Sequence, residues 1–348
     1  MTIGTRLTNL GRAGSRAGRQ PLVAALVAAL VAPIVAVVLV FAAVAPGSAR
    51  AAAPFDAWLE DFRAEARTAG VSDRTLDRAL EGLAPIPRVI ELDRRQPEGR
   101  MTFVEYRQRV INDARIRKGR QLLQEHRALL SRIEAQYGVP AEIIVALWGI
   151  ESNFGENTGG FPVIASLATL AHEGRRAAFF TGELIAALKI LDAGDITLDA
   201  MNGSWAGAMG QSQFMPSTFL AYAVDGSGDG KRDIWRNRAD VFASMANYLS
   251  RMGWDRRYIW GREVRVQNGV ATSGLDERRP LARWQAAGVR RADGGDLPAV
   301  AIDASLLRMD EGRGPSYLVY DNFRVLMRWN RSTYFATSVG LLANAIRS

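Results

Sequence analysis

The chain has 348 residues, of which 48% are hydrophobic and 23% are charged, a composition typical of globular proteins and not of disordered or fibrous ones. It contains no cysteine, which excludes disulfides, thiolate nucleophiles and cysteine-ligated zinc or iron–sulfur sites. Its two histidines, His126 and His172, lie in separate segments, so neither a Ser-His-Asp triad nor a multi-histidine metal site is expected.

The net charge of +8 is unevenly distributed along the chain. Residues 1–53 hold five arginines and no acidic residue, which leaves +3 for residues 54–348. No block of like charges occurs in the latter range, and we therefore expect no nucleic-acid partner. A mildly basic body is compatible with attraction to an acidic polymer such as a cell wall.

The N-terminus has the pattern of an export signal. Four arginines precede an uncharged apolar run over residues 22–45, and Ala49, Arg50 and Ala51 match the A-x-A pattern of a cleavage site. The run is long and contains Pro33, so an uncleaved membrane anchor is the alternative to a cleaved signal. In both cases the body lies outside the cytoplasm, in the periplasm or an equivalent compartment. No cysteine follows the run, which excludes a lipoprotein anchor.

The spacing of apolar residues predicts a helical N-terminal region over residues 54–135. Phe55, Trp58, Leu59 and Phe62 recur at helical intervals. Ser72 is placed to cap a second helix that runs to residue 83 and is stopped by two prolines, Pro85 and Pro87. Residues 102–136 have the helical pattern again, and Gly138 interrupts it.

Further helices are predicted over residues 139–152, with Pro140 in the first turn, and over 163–171, 176–191, 217–223 and 239–251. A small β-rich subdomain follows. Residues 263–266 before Asn268-Gly269 predict a hairpin, residues 298–306 and 316–320 predict short strands, and residues 332–346 return to helix. The fold class is therefore mainly α (α+β), a helical body that carries one small β-rich subdomain.

Glu151 is the first candidate for chemistry. Ile144, Leu147, Trp148 and Glu151 share one face of the helix predicted over residues 139–152. A carboxyl group at the end of an apolar stripe is partly desolvated, which raises its pKa and suits a general acid. The alternative is an ordinary helix-end glutamate with its carboxylate in water.

The glycine-punctuated loop, residues 203–216, mixes glycines, amides, a hydroxyl and aromatic side chains. Glycine permits close backbone approach to a ligand, Ser and Gln suit hydroxyl and acetamide groups, and aromatic rings suit sugar faces. The alternative is a tight core loop with buried methionine and phenylalanine.

Several segments together resemble the lytic murein transglycosylase B family over residues 55–348. They are Ala146-Leu147-Trp148-Gly149-Ile150-Glu151-Ser152-Asn153-Phe154-Gly155, Arg175-Arg176, Phe180-Thr181-Gly182-Glu183-Leu184, the loop 203–216, Asp225–Gly230, Ala246-Asn247-Tyr248 and Trp329-Asn330-Arg331-Ser332. The resemblance implies a lysozyme-like helical core over 136–255, a β-rich subdomain over 256–320, and a C-terminal segment, 321–348, that returns to the core.

The resemblance also implies a mechanism. In this family one glutamate, Glu151 here, protonates the oxygen between N-acetylmuramic acid and N-acetylglucosamine. The muramic 6-hydroxyl then attacks its own anomeric carbon, the glutamate takes the proton back, and a 1,6-anhydromuramoyl end forms without water. No cofactor is required. Peptidoglycan glycan strands are the expected partner, other cell-wall enzymes are further candidates, and the membrane is involved only through an uncleaved N-terminal segment.

Six residues are implied as substrate-binding by their match to the family's motifs: Ser204, Gln213, Tyr248, Asn330, Arg175 and Arg176. Tyr248 is expected close to Glu151, and Asn330 is expected to reach back to the site. For the two arginines, ordinary surface charge is the alternative. Trp329 stands where the family commonly has tyrosine, and we expect stacking to survive there while the polar contact of a tyrosine hydroxyl is lost.

Phe103 and Tyr106 are candidate sugar platforms, with packing in the helical core as the favoured interpretation. A calcium site is a further candidate. Asp225, Ser227 and Asp229 have the spacing of positions 1, 3 and 5 of an EF-hand-like loop. Arg236 stands at position 12, where the usual ligand is glutamate, and the resemblance implies that Asp240 closes the loop instead. The alternative is a glycine-rich turn with no ion.

Two other functions remain open at this point. A hydrolytic muramidase would require a second carboxylate or an ordered water. A catalytically inactive wall-binding module would keep its biological effect when Glu151 is replaced by glutamine.

Overall fold

Six helices occupy the N-terminal part of the computed structural model, which describes residues 54–95, 101–267, 270 and 274–348. These helices are α1 (Phe55–Thr68), α2 (Asp73–Leu80), α3 (Pro87–Arg94), α4 (Phe103–Val110), α5 (Asp113–Glu125) and α6 (Arg127–Tyr137). The predicted signal segment, residues 1–53, lies outside the described residues. Within them, no helix combines the length and apolar character that a bilayer span requires.

Local signals explain several of these helix ends. The side chain of Ser72 accepts from the Thr75 N–H, which confirms Ser72 as the cap of α2. Helix α2 ends before the two prolines, and Pro87 begins α3, where its missing N–H costs no hydrogen bond. Gly138 ends α6 in the left-handed conformation. Residues 102–136, predicted as continuously helical, are divided into α4, α5 and α6.

The central part of the chain forms five helices and a two-stranded antiparallel sheet. They are α7 (Ala141–Ser152), β1 (Phe161–Pro162), α8 (Val163–Glu173), α9 (Ala177–Ala193), β2 (Asn202–Gly203), α10 (Pro216–Tyr222) and α11 (Arg238–Arg251), with β1 paired to β2. Pro140 is the N-cap residue of α7, one position before the predicted first turn.

Helix α7 lies at the centre of the core. Every residue from Ile143 to Gly149 is buried, and the helix packs against α5, α6 and α11 and against a C-terminal helix described below. A helix that is apolar on all sides is stable only when neighbours surround it. The apolar face that leads to Glu151 is therefore part of a wider buried surface, which includes Leu147.

The β-rich region is a five-stranded antiparallel sheet with one helix. Its elements are β3 (Gly261–Val266), β4 (Arg279–Pro280), α12 (Leu281–Ala286), β5 (Val289–Arg291), β6 (Asp303–Arg308) and β7 (Ser316–Val319), with strand order β4-β6-β7-β3-β5. Strand β3 pairs with β5 and β7. The turn predicted at Asn268-Gly269 lies outside the described residues. A separate small core between Val264 and Tyr320 supports the sheet.

Two C-terminal helices, α13 (Asp321–Trp329) and α14 (Thr333–Arg347), bring the chain back to the main core. Helix α14 packs along α7, α5 and α4, and α13 packs against α11 and α14. The fold class predicted from the sequence, mainly α with a small antiparallel sheet, is confirmed.

Candidate active site

Glu151 lies in the last turn of α7, where the central helix leaves the core. Helix α7 ends because Asn153 adopts a left-handed backbone with φ 51°, a conformation that asparagine tolerates better than most residues. Ile144, Leu147 and Trp148, which precede Glu151 on the same face, are completely buried. The carboxyl group is therefore at the boundary between an apolar core and the surface.

The carboxyl group of Glu151 has one hydrogen-bond partner among the described residues. The indole N–H of Trp329 donates to Glu151 Oε1 across 2.6 Å. Burial raises the pKa of Glu151 to about 7, and the Trp329 hydrogen bond opposes this rise. The expectation that tryptophan loses the polar contact at this position is wrong, because the indole N–H reaches the carboxyl group directly.

Aromatic side chains hold Trp329 in place. The rings of Phe214 and Tyr248 lie 5.1 Å and 4.9 Å from the Trp329 ring, measured between centroids. Tyr248 is thus next to the site, as expected, but its hydroxyl donates to the main-chain carbonyl of Arg328 at 2.8 Å. Tyr248 therefore orients Trp329, and it makes no direct hydrogen bond to Glu151.

The glycine-punctuated loop folds back on itself beside this group. Met209 forms isolated β-bridges with Gly203 and Phe214, and Ser204 Oγ accepts from the Ala208 N–H at 3.0 Å. A side chain at Gly203 would place its Cβ 2.2 Å from the Ala208 carbonyl oxygen. The absence of a side chain at Gly203 therefore allows the backbone at Ala208 to pack closely against it, a role different from the approach to a ligand that the sequence suggests.

Gln213 has a strained backbone in this loop. Its φ is 51°, in the left-handed region that few residues other than glycine adopt. The side-chain nitrogen donates to the carbonyls of Gly210 at 2.8 Å and Thr158 at 3.1 Å. Both hydrogen bonds use Nε2, so the amide is oriented by the loop. Backbone strain of this kind is concentrated at functional sites.

A buried amide that the sequence analysis missed supports the loop. Gln211 is 3% exposed. Its Oε1 accepts from the Trp148 indole at 3.0 Å and from Arg238 at 2.5 Å, and its Nε2 donates to the Trp235 carbonyl at 2.7 Å. The amide therefore joins α7, the loop and α11. The sequence feature that points to Gln211 is its position in the loop between two candidate substrate-binding residues, Ser204 and Gln213.

Tyr106 of α4 is a second residue whose place the sequence underestimated. Phe103 is completely buried, as expected for helix core, whereas Tyr106 is half-buried. Burial raises the pKa of the Tyr106 phenol, and the charge of Glu151 raises it further, so the two side chains are electrostatic neighbours. Helix α4 thus contributes to the same site as α7 and α13.

Comparison with known proteins agrees with this arrangement. Residues 54–344 match the family model described as the transglycosylase SLT domain. The chain belongs to this family of lytic murein transglycosylases. It is 36% identical over 256 residues to the membrane-bound lytic murein transglycosylase B of Escherichia coli K12, a match that covers 70% of this chain and 67% of the relative.

Two solved structures are similar to this transglycosylase. SltB3 from Pseudomonas aeruginosa, in complex with NAG-anhNAM-pentapeptide, has a TM-score of 0.82 and 45% identity, covering 84% of this chain and 80% of that one. Slt35 from Escherichia coli, in complex with calcium, has a TM-score of 0.73 and 31% identity, covering 83% of this chain and 92% of that one. The expected family, a lysozyme-like fold and an enzyme of the lyase class that acts on peptidoglycan are thereby confirmed.

The two arginines of the transglycosylase that were predicted to bind substrate have a protein partner. Arg175 donates to Asp93 Oδ1 of α3 at 2.6 Å and to its main-chain carbonyl at 3.1 Å, and Arg176 lies 3.4 Å from the same oxygen. Asp93 is 3% exposed. The Arg176 guanidinium also lies over the Phe180 ring. The pair thus ties α3 to the segment between α8 and α9, a role different from plain surface charge.

Asn330 follows Trp329 and is the C-cap residue of α13. It is exposed, and its Oδ1 accepts from the Ser332 N–H at 3.0 Å. The hydrogen bond from the C-terminal segment of the transglycosylase to Glu151 comes from Trp329, the residue before it.

The three aspartates predicted to bind calcium lie together. One carboxylate oxygen from each of Asp225, Asp229 and Asp240 lies within 4.8 Å of the others. Asp225 also accepts from the Ser227 hydroxyl and from three main-chain N–H groups, which lower its pKa. Asp240 is completely buried and accepts from three main-chain N–H groups. Carboxylates suit calcium, and the same hydrogen bonds also stabilise the turn without an ion.

Proposed function

We propose that Glu151 is the single acid and base of a transglycosylase that cleaves the β-1,4 bond between N-acetylmuramic acid and N-acetylglucosamine without water. The observation that carries the proposal is the state of the Glu151 carboxyl, whose pKa burial raises to about 7. A carboxyl with this pKa is protonated in about half of the molecules at pH 7 and can donate its proton to a leaving oxygen.

The reaction needs no group from outside the protein and the substrate. Glu151 donates its proton to the glycosidic oxygen as the bond from that oxygen to the muramoyl C1 breaks. The 6-hydroxyl of the same muramoyl residue attacks C1, and its proton passes to the Glu151 carboxylate. The products are a 1,6-anhydromuramoyl end and a free 4-hydroxyl on the neighbouring sugar, and the acid is regenerated.

The surroundings of Glu151 support a mechanism that uses one carboxyl group and not a pair. Among the described residues, burial and the Trp329 hydrogen bond act on the pKa of Glu151, and no second carboxyl group does. Most glycosidases that use water need a pair of carboxyl groups. The similar SltB3 structure contains an anhydro sugar, NAG-anhNAM-pentapeptide, which has the kind of end that we propose here.

We propose substrate contacts for the six residues that match the family's motifs. Gln213 is oriented by the carbonyls of Gly210 in the loop and of Thr158 outside it, and Ser204 is half-buried in the same loop as Gln213. Tyr248 borders the site beside Trp329. Arg175 and Arg176 would contact the peptide stems or the lactyl carboxylate, and Asn330, the residue after Trp329, would contact substrate from the C-terminal segment. SltB3 has also been solved with NAG-NAM-pentapeptide, a ligand that includes such a stem.

We propose that the enzyme is exported and acts on glycan strands in the periplasm, with its N-terminal segment as a cleaved signal or an anchor. The relative from Escherichia coli is membrane-bound. Other cell-wall enzymes are the further partners we expect.

We propose that Asp225, Asp229 and Asp240, with Ser227, bind a structural calcium ion. The similar Slt35 structure is a complex with calcium. The ion would stabilise the turn before α11 and would take no part in the reaction.

Digestion of purified peptidoglycan by the full chain tests the function. Mass spectrometry of the sugar ends should show anhydromuramoyl ends for the wild type and none for a folded Glu151→Gln variant. Glu142→Gln is the matched control, because Glu142 lies in the first turn of the same helix and pairs with Arg347. Reducing ends would assign a muramidase instead. Wall binding without cleavage by either protein would assign an inactive module.

A further inference from the structure

The hydrogen bond between Trp329 and Glu151 constrains where the acid proton can sit. An indole N–H is a donor only, with no acceptor capacity. Because it donates to Glu151 Oε1 at 2.6 Å, this oxygen must accept in both protonation states of the carboxyl group. The hydroxyl oxygen of a protonated carboxyl group is a weaker acceptor than its carbonyl oxygen, so the hydrogen bond at Oε1 favours placement of the proton on Oε2.

We infer that Trp329 is a positioning residue that occupies Oε1 of Glu151 and so keeps the acid proton on Oε2, the oxygen that is left to donate it. The inference rests on the proposed role of Glu151 as acid and base. A tyrosine, common in the family at this position, has a rotatable hydroxyl that both donates and accepts. Such a hydroxyl permits the proton on either carboxyl oxygen, whereas the indole selects one.

The indole is itself held so that the hydrogen bond cannot easily swing away. Phe214 and Tyr248 pack against the ring, and the Tyr248 hydroxyl fixes the Arg328 carbonyl immediately before it. The N–H of Asn330 closes the last turn of α13 on the Leu326 carbonyl. An ordered donor of this kind loses little entropy when the carboxyl becomes charged.

Other titratable groups surround the pair. Tyr106 faces Glu151 from α4 and feels its charge. Arg115 of α5 acts on Tyr106 and bonds Asn153 and the Val110 carbonyl. Tyr248 of α11 bonds the Arg328 carbonyl, and Tyr334 of α14 bonds Asp310. None of these hydrogen bonds uses Oε1 or Oε2 of Glu151, so Trp329 is the group that distinguishes the two oxygens.

An NMR titration of the wild-type full chain tests the inference without any change at Trp329. The chain has eight tryptophans, whose indole N–H resonances are resolved after ¹⁵N labelling. One resonance should move downfield as the pH rises through about 7, the value to which burial raises the pKa of Glu151, and this movement should be absent in Glu151→Gln. Absence of any indole resonance that titrates through Glu151 would overturn the inference.

Kinetics of Trp329→Phe supply a second readout. Loss of the donor should lower kcat by about tenfold to a hundredfold, with a much smaller change in KM. The alkaline limb of the pH–rate profile should move to higher pH, because the donor stabilises the charged carboxylate. Structural damage alone would lower kcat without moving that limb. The control is Trp58→Phe, because Trp58 packs in α1 against Phe55 and Phe62.

An unchanged kcat and an unchanged alkaline limb in Trp329→Phe would overturn the inference. Failure of the proposed function looks different: peptidoglycan digestion would yield reducing ends or no ends at all, while the indole titration would still report whether Trp329 bonds the carboxylate.

Discussion

The indole N–H of Trp148 donates to Oε1 of Gln211 across 3.0 Å in the buried interior. Trp148 lies three residues before Glu151 on α7, and Gln211 lies two residues before Gln213 in the glycine-punctuated loop. Since Gln211 also binds Arg238 and the Trp235 carbonyl, one amide connects the helix that carries Glu151 to the glycine-punctuated loop.

Gln211→Leu should therefore destabilise the protein strongly. The variant leaves the Trp148 indole, the Trp235 carbonyl and the Arg238 guanidinium without their partner, and unsatisfied buried groups cost about 1–3 kcal/mol each. We expect the free energy of unfolding to fall by about 3 kcal/mol, measured by urea denaturation. Gln136→Leu is the control, because Gln136 is exposed on α6, and its effect should stay within about 0.5 kcal/mol. Equal effects of the two variants would contradict this role.

Activity should depend on pH through Glu151. Its pKa is raised to about 7 by burial, and the free enzyme must carry the proton to start the reaction. The rate on peptidoglycan, kcat/KM, should therefore fall as the pH rises through about 7. Assays of anhydro-product release between pH 5 and 9 measure this limb. A rate that keeps rising to pH 9 would be inconsistent with Glu151 as the acid.

The Glu151 carboxyl group should also lower the free energy of unfolding in alkaline solution. Its pKa is higher in the folded protein, about 7, than in the unfolded chain, so the folded state binds the proton more tightly. The free energy of unfolding then decreases as the pH rises from about 4.5 to about 7. Glu151→Gln removes this loss and should be more stable than the wild type by about 3 kcal/mol at pH 8.

At pH 4 the two proteins should have nearly equal stability, because the wild-type glutamate is then protonated in the folded state. Thermal melts of both proteins at the two pH values check the prediction. A difference between them that is independent of pH would show that Glu151 titrates alike in the folded and unfolded chain.

Asp93→Asn tests whether Arg175 and Arg176 have a structural role. Asp93 is 3% exposed, while the side chains of its partners are 56% and 46% exposed, so screening reduces the interaction. We expect a loss of about 1–2 kcal/mol in the free energy of unfolding. Glu91→Gln on the same helix breaks the exposed pair with Arg88 and should change stability by less than about 0.5 kcal/mol. An effect of Asp93→Asn as small as that of the control would contradict a structural role for the two arginines.

Calcium should raise the melting temperature of the wild type, and EDTA should reverse the effect. The gain follows mass action and grows with the ion concentration. Asp240→Asn should abolish the response, since Asp240 offers the buried carboxylate of the cluster. Magnesium at the same concentration is the control, because its smaller, octahedral shell suits this loop less well. A melting temperature that changes with neither calcium nor magnesium would favour the ion-free turn.

Local patterns were sufficient to predict most helices. Ser72 and Gly138 mark helix ends by their own chemistry, and both were recognised. The breaks within residues 102–136 were not, since they lie at Asn112 and His126, with no glycine or proline. Asn112 caps α5 by accepting from the Arg115 N–H, a signal that was present in the sequence and is weak without knowledge of the packing.

The candidate site was predictable where motifs are contiguous and unpredictable where it depends on contacts between distant segments. The spacing before Glu151 indicated a partly buried carboxyl group. Nothing local to Trp329 indicates that its indole reaches a residue 178 positions away. The comparison with the tyrosine that is common in the family predicts only that the polar contact of the hydroxyl is lost. Helical periodicity shows which residues share a face with Tyr106, and it does not show which residues of other segments contact that face. The sequence therefore favours a core position for Tyr106 and gives no sign that it is close to Glu151.

The hydrogen bond between Trp329 and Glu151 also sets an order of assembly. A chain that is synthesised, or threaded through a membrane, from its N-terminus completes α7 and the loop 203–216 long before α13 emerges. Until then the carboxyl group has no indole partner. The α14 helix that packs along α7 is made after α13. The surroundings of Glu151 are therefore completed only when α13 and α14 have been made. A product that terminates before α13 would carry the motif around Glu151 and the loop 203–216, and its Glu151 would still lack the indole partner.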